Sequence, residues 1–65
     1  ISCVLLESDS YLTISSSNTG EKTYSSDGIN WTSNNIIPKE AGKKYYFSYI
    51  KDINGETNYC ELNIK

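Results

Sequence analysis

Three aromatic residues at alternate positions, Tyr45, Phe47 and Tyr49, are the side chains of this sequence best suited to bind a ligand. Alternate residues of an extended strand project from one face, spaced by roughly 6.6 to 6.8 Å. A flat row of three rings would therefore extend over about 13 Å, which suits stacked sugar rings or the edge of a partner domain. The row is a binding surface only if that face of the strand is not the buried one.

Catalytic and metal-binding chemistry has less support. The chain contains no His, so a general base would have to be a carboxylate or a lysine. The acids near turns, Asp27, Asp52 and Glu56, have simpler roles as turn residues or solvated strand ends. Two cysteines without a His cannot supply the four ligands of a zinc site. We therefore expect no enzymatic activity, no metal and no cofactor.

The aromatic row lies in a segment that is predicted to form a long β-hairpin. Residues 44–51 are rich in the aromatic and β-branched side chains that favour strands, and residues 58–64 alternate apolar with polar side chains. Between them, Asp52 and Gly55 occupy the first and fourth positions of a turn, where these residue types are favoured.

The register of this hairpin decides where the aromatic row points. A two-residue loop places Tyr49 opposite Cys60 and buries the row. A three-residue loop with Gly55 in the left-handed conformation places Ser48 opposite Cys60 and turns the row to solvent. The shorter loop buries more apolar surface, whereas the longer one agrees with Asp52 at the first turn position.

The remaining segments also favour strands. Residues 2–7 and 11–15 are predicted as the first two strands, and residues 34–38 as a short strand or extended loop before the long hairpin. In residues 22–33, a turn at Asp27-Gly28 would pair Tyr24 with Trp31, so that both rings pack in the core. Because no stretch has helical spacing, we expect an all-β fold of about six or seven antiparallel strands and no helix.

Cys3 and Cys60 lie near the two ends of the chain. A disulfide between them would close a loop of nearly the whole chain and stabilise it by roughly 4 kcal/mol. Two buried thiols in adjacent terminal strands are the alternative, as expected in a reducing compartment.

Length and charge limit the classes of function. The 65 residues suffice for one domain, which at this size buries only about 60% of its unfolded surface. The net charge is -2 and every positive charge is a lysine, so the basic face that nucleic-acid binding needs is missing. No apolar run approaches the roughly 18 residues of a membrane span. The start at Ile1 instead of Met suggests a piece of a longer protein.

Three segments resemble the bacterial immunoglobulin-like domains: YSSDGINWT at 24–32, AGKKYY at 41–46 and KDINGE at 51–56. With the residues between them, the three segments span residues 24–56, about half of the chain. Glu56 stands where such domains usually carry Asn, and the chain is short for the family.

The resemblance implies a small immunoglobulin-like β-sandwich over residues 1–65, with terminal strands side by side so that Cys3 and Cys60 are close. Its spacing favours the three-residue loop. Such domains are spacers or adhesive modules of extracellular, cell-surface and phage virion proteins, with neighbouring domains as partners. We therefore expect a non-catalytic structural or adhesive module. The alternative is a carbohydrate-binding module in which Tyr45, Phe47 and Tyr49 contact cell-surface polysaccharide.

Overall fold

The computed structural model describes all 65 residues as an all-β chain without a helix. Six antiparallel strands form two sheets of three, in the orders β1-β2-β4 and β3-β5-β6. This arrangement is consistent with a small β-sandwich and confirms the predicted all-β class. No helix is present that could cross a membrane. The strands are β1 (Val4–Glu7), β2 (Tyr11–Ser15), β3 (Lys22–Ser25), β4 (Ile36–Pro38), β5 (Tyr45–Asp52) and β6 (Thr57–Asn63).

One hydrophobic core takes side chains from both sheets. Burial alternates along the central strands, as the two-residue period of a strand requires: Leu12 and Ile14 are buried in β2, and Tyr46, Ser48 and Ile50 in β5. The six buried hydrophobic residues form one cluster, to which each sheet contributes three: Leu5, Leu12, Ile14, Tyr46, Ile50 and Cys60.

The β5–β6 hairpin has the register of the longer loop. Ser48 lies opposite Cys60, and Gly55 adopts a φ of +84°, which glycine accepts without steric cost. The Gly55 amide donates to the Asp52 carbonyl at 3.1 Å, and the Asp52 carboxylate accepts from the Glu56 amide at 2.8 Å. The prediction from Asp52 and Gly55 is confirmed, and residues 45, 47 and 49 face away from the core.

The segment after β3 differs from the predicted hairpin. Tyr24 pairs with Thr32, not with Trp31, through two backbone hydrogen bonds of 2.8 and 3.0 Å. A shift of one residue moves a side chain to the other face of a sheet. Tyr24 is half-buried and packs against the core, whereas Trp31 is half-buried outside it. The prediction that Trp31 pairs with Tyr24 in the core is therefore wrong.

The N-terminal segment, residues 1–3, lies beside β6. Cys3 and Cys60 are joined by a disulfide, with their Cα atoms 5.3 Å apart. The Ile1 ammonium forms an ion pair with the Glu56 carboxylate, and the Asn58 side-chain amide donates to the Ile1 carbonyl at 2.8 Å. These contacts connect the first sheet to the edge strand of the second.

Candidate functional site

Four aromatic side chains lie on the outer side of the β5–β6 hairpin: Tyr45, Phe47, Tyr49 and Tyr59. We call this group the aromatic face. The alternation along β5 places three of them there, because the residues between them are buried. Tyr59 lies directly opposite Tyr49. The most exposed members are Tyr45 at 46% and Tyr59 at 55%, so both rings are accessible to a partner.

The rings form a cluster and not the flat row that we expected. Phe47 and Tyr49 have ring centroids 4.8 Å apart and ring planes at 85°, the edge-to-face geometry that aromatic pairs favour. Phe47 also stacks on Tyr59, with centroids 5.4 Å apart and planes at 25°. Phe47 is thus covered on two sides, and Tyr45 and Tyr59 offer more surface than the middle of the row.

Sequence reasoning did not include Tyr59 in the binding surface. Its position was available in principle, because the longer-loop register places Tyr59 opposite Tyr49. Directly opposed and diagonal residues on one face of a sheet lie close enough for ring contact. The position of Tyr59 on the aromatic face follows from the pairing of β5 with β6 and cannot be inferred from the pattern of β5 alone.

A carboxylate lies within the aromatic face, across the strands from Phe47. Glu61 is exposed and pairs with Phe47 across the two strands. Partial desolvation, and then the negative charge of Glu61, raise the pKa of Tyr45. Tyr45 and Glu61 thus combine an aromatic ring, a hydroxyl donor and a carboxylate acceptor within one small area.

A lysine and a tryptophan lie at the end of the aromatic face that is next to Tyr49. Lys51 pairs with Thr57 at the last row of the hairpin, and its Nζ lies 4.2 Å from the centroid of the Trp31 ring. This is a cation–π contact, and the lysine stem covers part of the indole. Trp31 therefore extends the apolar surface next to the aromatic face instead of filling the core.

A loop organised by Asp27 supports the middle of the face. The Asp27 carboxylate accepts hydrogen bonds from the backbone amides of Ile29 and Asn30, each at 2.8 Å. The bond from Asn30, followed by the one from Ile29, lowers the pKa of Asp27 well below its ordinary value. Gly28 in this loop lies against Tyr49, because a Cβ added there would be 3.4 Å from the ring.

The acids considered for catalysis all have structural contacts. Asp27 organises its loop, Asp52 closes the β5–β6 turn, and Glu56 pairs with the terminal ammonium. No group of three His, Cys, Asp or Glu residues is placed to hold a metal ion. The chemistry that the aromatic face offers is non-covalent: ring contact, hydrogen bonds from phenols, the carboxylate of Glu61 and the ammonium of Lys51 beside Tyr49.

Comparisons with protein-family models, curated proteins and solved structures gave no match. The function of the aromatic face is therefore argued from its geometry and chemistry.

Proposed function

We propose that this chain is a non-catalytic interaction module, an immunoglobulin-like domain of a bacterial extracellular, cell-surface or phage virion protein. The observation that carries the proposal is the aromatic face itself, four rings grouped on the solvent side of a small sheet. Tyrosine and other aromatic residues are enriched in protein interfaces, where their flat rings bury a large area.

The strand order supports the immunoglobulin-like assignment. In an immunoglobulin sandwich, strands A, B and E share one sheet, and C, F and G share the other. The orders β1-β2-β4 and β3-β5-β6 agree with this arrangement if strand D is missing. The chain departs from antibody domains in two ways: its disulfide connects the two ends of the chain, and Trp31 lies outside the core.

A buried tyrosine adds independent support. Immunoglobulin sandwiches have a tyrosine near the start of strand F whose hydroxyl bonds to the backbone a few residues upstream. Tyr46 is the second residue of β5, is only 2% exposed, and accepts a hydrogen bond from the Glu40 amide at 2.9 Å. Its place, burial and partner all agree with that feature.

Exposed aromatic clusters on small domains mark sites of contact. We therefore assign the aromatic face to a neighbouring domain or subunit of the parent protein. The test replaces its two most exposed rings in a Tyr45→Ser/Tyr59→Ser variant. We expect a folded variant that no longer binds the flanking domains of the parent protein, measured by isothermal titration calorimetry with separately purified segments.

The chain offers a matched control for this test. Val4 and Leu6 project from the outer side of the other sheet and are exposed by 49% and 51%, close to the values of the two tyrosines. A Val4→Ser/Leu6→Ser variant should bind like the wild type. Equal loss of binding in both variants, or wild-type binding by the tyrosine variant, would contradict the assignment.

The Phe47–Tyr59 stack favours a second candidate function, carbohydrate binding. One face of the Tyr59 ring stacks on Phe47 and the side chain is otherwise exposed. Beside it, the Glu61 carboxylate can accept hydrogen bonds from sugar hydroxyls. The domain should then be retained on bacterial cell-wall polysaccharide, and Tyr59→Ser should abolish retention. If the wild-type domain binds no glycan on an array, the face belongs to a protein partner.

A further inference from the structure

The outer side of the β5–β6 hairpin carries two opposite charges. Its rows are the cross-strand pairs Lys51–Thr57, Tyr49–Tyr59, Phe47–Glu61 and Tyr45–Asn63. Among these outward positions of β5 and β6, only Lys51 and Glu61 are charged. They lie one row to either side of the Tyr49–Tyr59 pair, which places opposite charges symmetrically about that row.

We infer that the aromatic face binds the same face of a second copy of this chain, with the two-fold axis crossing the strands at the Tyr49–Tyr59 row. This inference rests on the proposed role of the face as a contact surface and names its partner. The axis exchanges the neighbouring rows, so Lys51 of each copy enters the Phe47–Glu61 row of the other, where Glu61 lies one strand away. Like charges would meet if the same faces packed with their strands parallel.

Self-complementarity is what a two-fold dimer requires, because the same patch must serve both sides. The face meets that requirement twice: aromatic rings lie on the axis, and opposite charges lie at equal distances from it. Neither charge is neutralised by an ion pair within the chain. The three ion pairs join Ile1 to Glu56, Lys39 to Glu7 and Lys43 to Glu40.

A contact within the chain already orients the lysine. Lys51 is held over the Trp31 ring, which leaves its ammonium at the rim of the aromatic cluster. Glu61 lies beside Tyr45, whose hydroxyl can share in binding the incoming lysine. Since one three-stranded sheet is a small interface, we expect a weak dimer, with a dissociation constant above about 1 µM.

The test is a charge exchange followed by sedimentation velocity at low salt, over concentrations from about 10 µM to about 1 mM. We expect a concentration-dependent dimer for the wild type that dissociates in high salt. Lys51→Glu and Glu61→Lys should each weaken it by about tenfold or more, because each change creates two repulsive contacts per dimer. The double variant K51E/E61K should restore it.

Matched controls separate the contact from net charge. Lys44→Glu changes the net charge from -2 to -4, as Lys51→Glu does, but at an exposed position outside the face. Asp9→Lys, in the β1–β2 turn, matches Glu61→Lys in the same way. Both controls should dimerise like the wild type, and circular dichroism should show every variant folded.

Amide chemical shifts of the wild type provide a measurement that does not depend on variant folding. On dilution, the shifts of Tyr49, Tyr59 and Glu61 should change together. A wild type that stays monomeric, shifts confined to the β1-β2-β4 sheet, or a folded double variant that fails to dimerise would overturn the dimer. A monomeric wild type that still needs Tyr45 and Tyr59 to bind a flanking domain would leave the proposed function standing.

Discussion

The two edges at which the sheets meet are held together in different ways. At one edge, β1 lies beside β6, and the disulfide, the Ile1–Glu56 ion pair and the Asn58–Ile1 hydrogen bond join the segment before β1 to β6 and to the turn before it. We call this the linked edge. At the other, the unlinked edge, no hydrogen bond or ion pair joins β3 to β4.

A cleft of about 230 Å³ opens at the unlinked edge, between residues of β2, β3, β4 and β5. Ile37 and Tyr24 pack there against the core without being fully buried. One polar contact near this edge is the hydrogen bond from the Glu40 amide to the Tyr46 hydroxyl. Local opening begins where buried contacts are few, so we expect the unlinked edge to open first and the linked edge to carry most of the stability.

Removing the disulfide should have the largest effect. The bond spans 57 residues, and closing a loop of that length in the unfolded chain contributes about 4 kcal/mol to the free energy of unfolding. A Cys3→Ser/Cys60→Ser variant should lose that amount, a large share of the 5–15 kcal/mol that is typical of a domain. Urea unfolding measures the difference.

The reduced wild-type protein is the control for this change, because it lacks the bond but keeps both sulfur atoms. It should unfold at the same urea concentration as the serine variant. A reduced protein as stable as the oxidised one would show that the linked edge owes its strength to packing, and the contrast between the two edges would disappear.

The sequence predicted the strands β2, β5 and β6 better than the segment that follows β3. The alternation of Leu12 and Ile14 in β2, and the turn chemistry of Asp52 and Gly55, each point to one structure. In the β5–β6 hairpin, apolar burial favoured the shorter loop, whereas the turn preferences of Asp52 and Gly55 favoured the longer loop, which is the one that the structure has. The outward direction of Tyr45, Phe47 and Tyr49 followed from that register.

The Asp27 loop shows why the segment that follows β3 could not be predicted in the same way. A two-residue hairpin turn of the favoured type needs positive φ at both central residues, and only Gly28 of the pair has it. The Asp27 carboxylate accepts hydrogen bonds from backbone amides instead, which stabilises a wider loop. The pairing moves by one residue, and Trp31 leaves the core.

Tyr46→Phe should have an intermediate effect, and it tests what holds the unlinked edge. The substitution keeps the buried ring but removes the hydroxyl that accepts from the Glu40 amide. We expect a loss of about 1 kcal/mol in the free energy of unfolding, and faster hydrogen exchange at the Glu40 amide than in the wild type.

Tyr11 provides the control for the loss of a hydroxyl, because it is 40% exposed on β2. Tyr11→Phe should leave both the stability and the exchange rates unchanged. Faster exchange throughout β6 in the Tyr46→Phe variant would mean that the two edges open together, and the division of the molecule into a linked and an unlinked edge would be wrong.

The smallest effect that we predict is the pH dependence that Asp27 contributes beside the unlinked edge. Hydrogen bonds to its carboxylate lower the pKa of Asp27 in the folded state relative to the unfolded chain, where an Asp titrates near about 3.9. A depressed folded pKa stabilises the fold above the unfolded pKa, and this contribution is lost as the pH falls below about 4.

Asp27→Asn removes this titration but keeps one oxygen acceptor for the amides of Ile29 and Asn30. Urea midpoints at about pH 6 and about pH 2.5 should therefore differ more for the wild type than for the variant. Because the other seven of the 8 acids are common to both proteins, the difference between the two shifts isolates Asp27. Equal shifts would mean that the loop beside Tyr49 keeps its conformation without the charge.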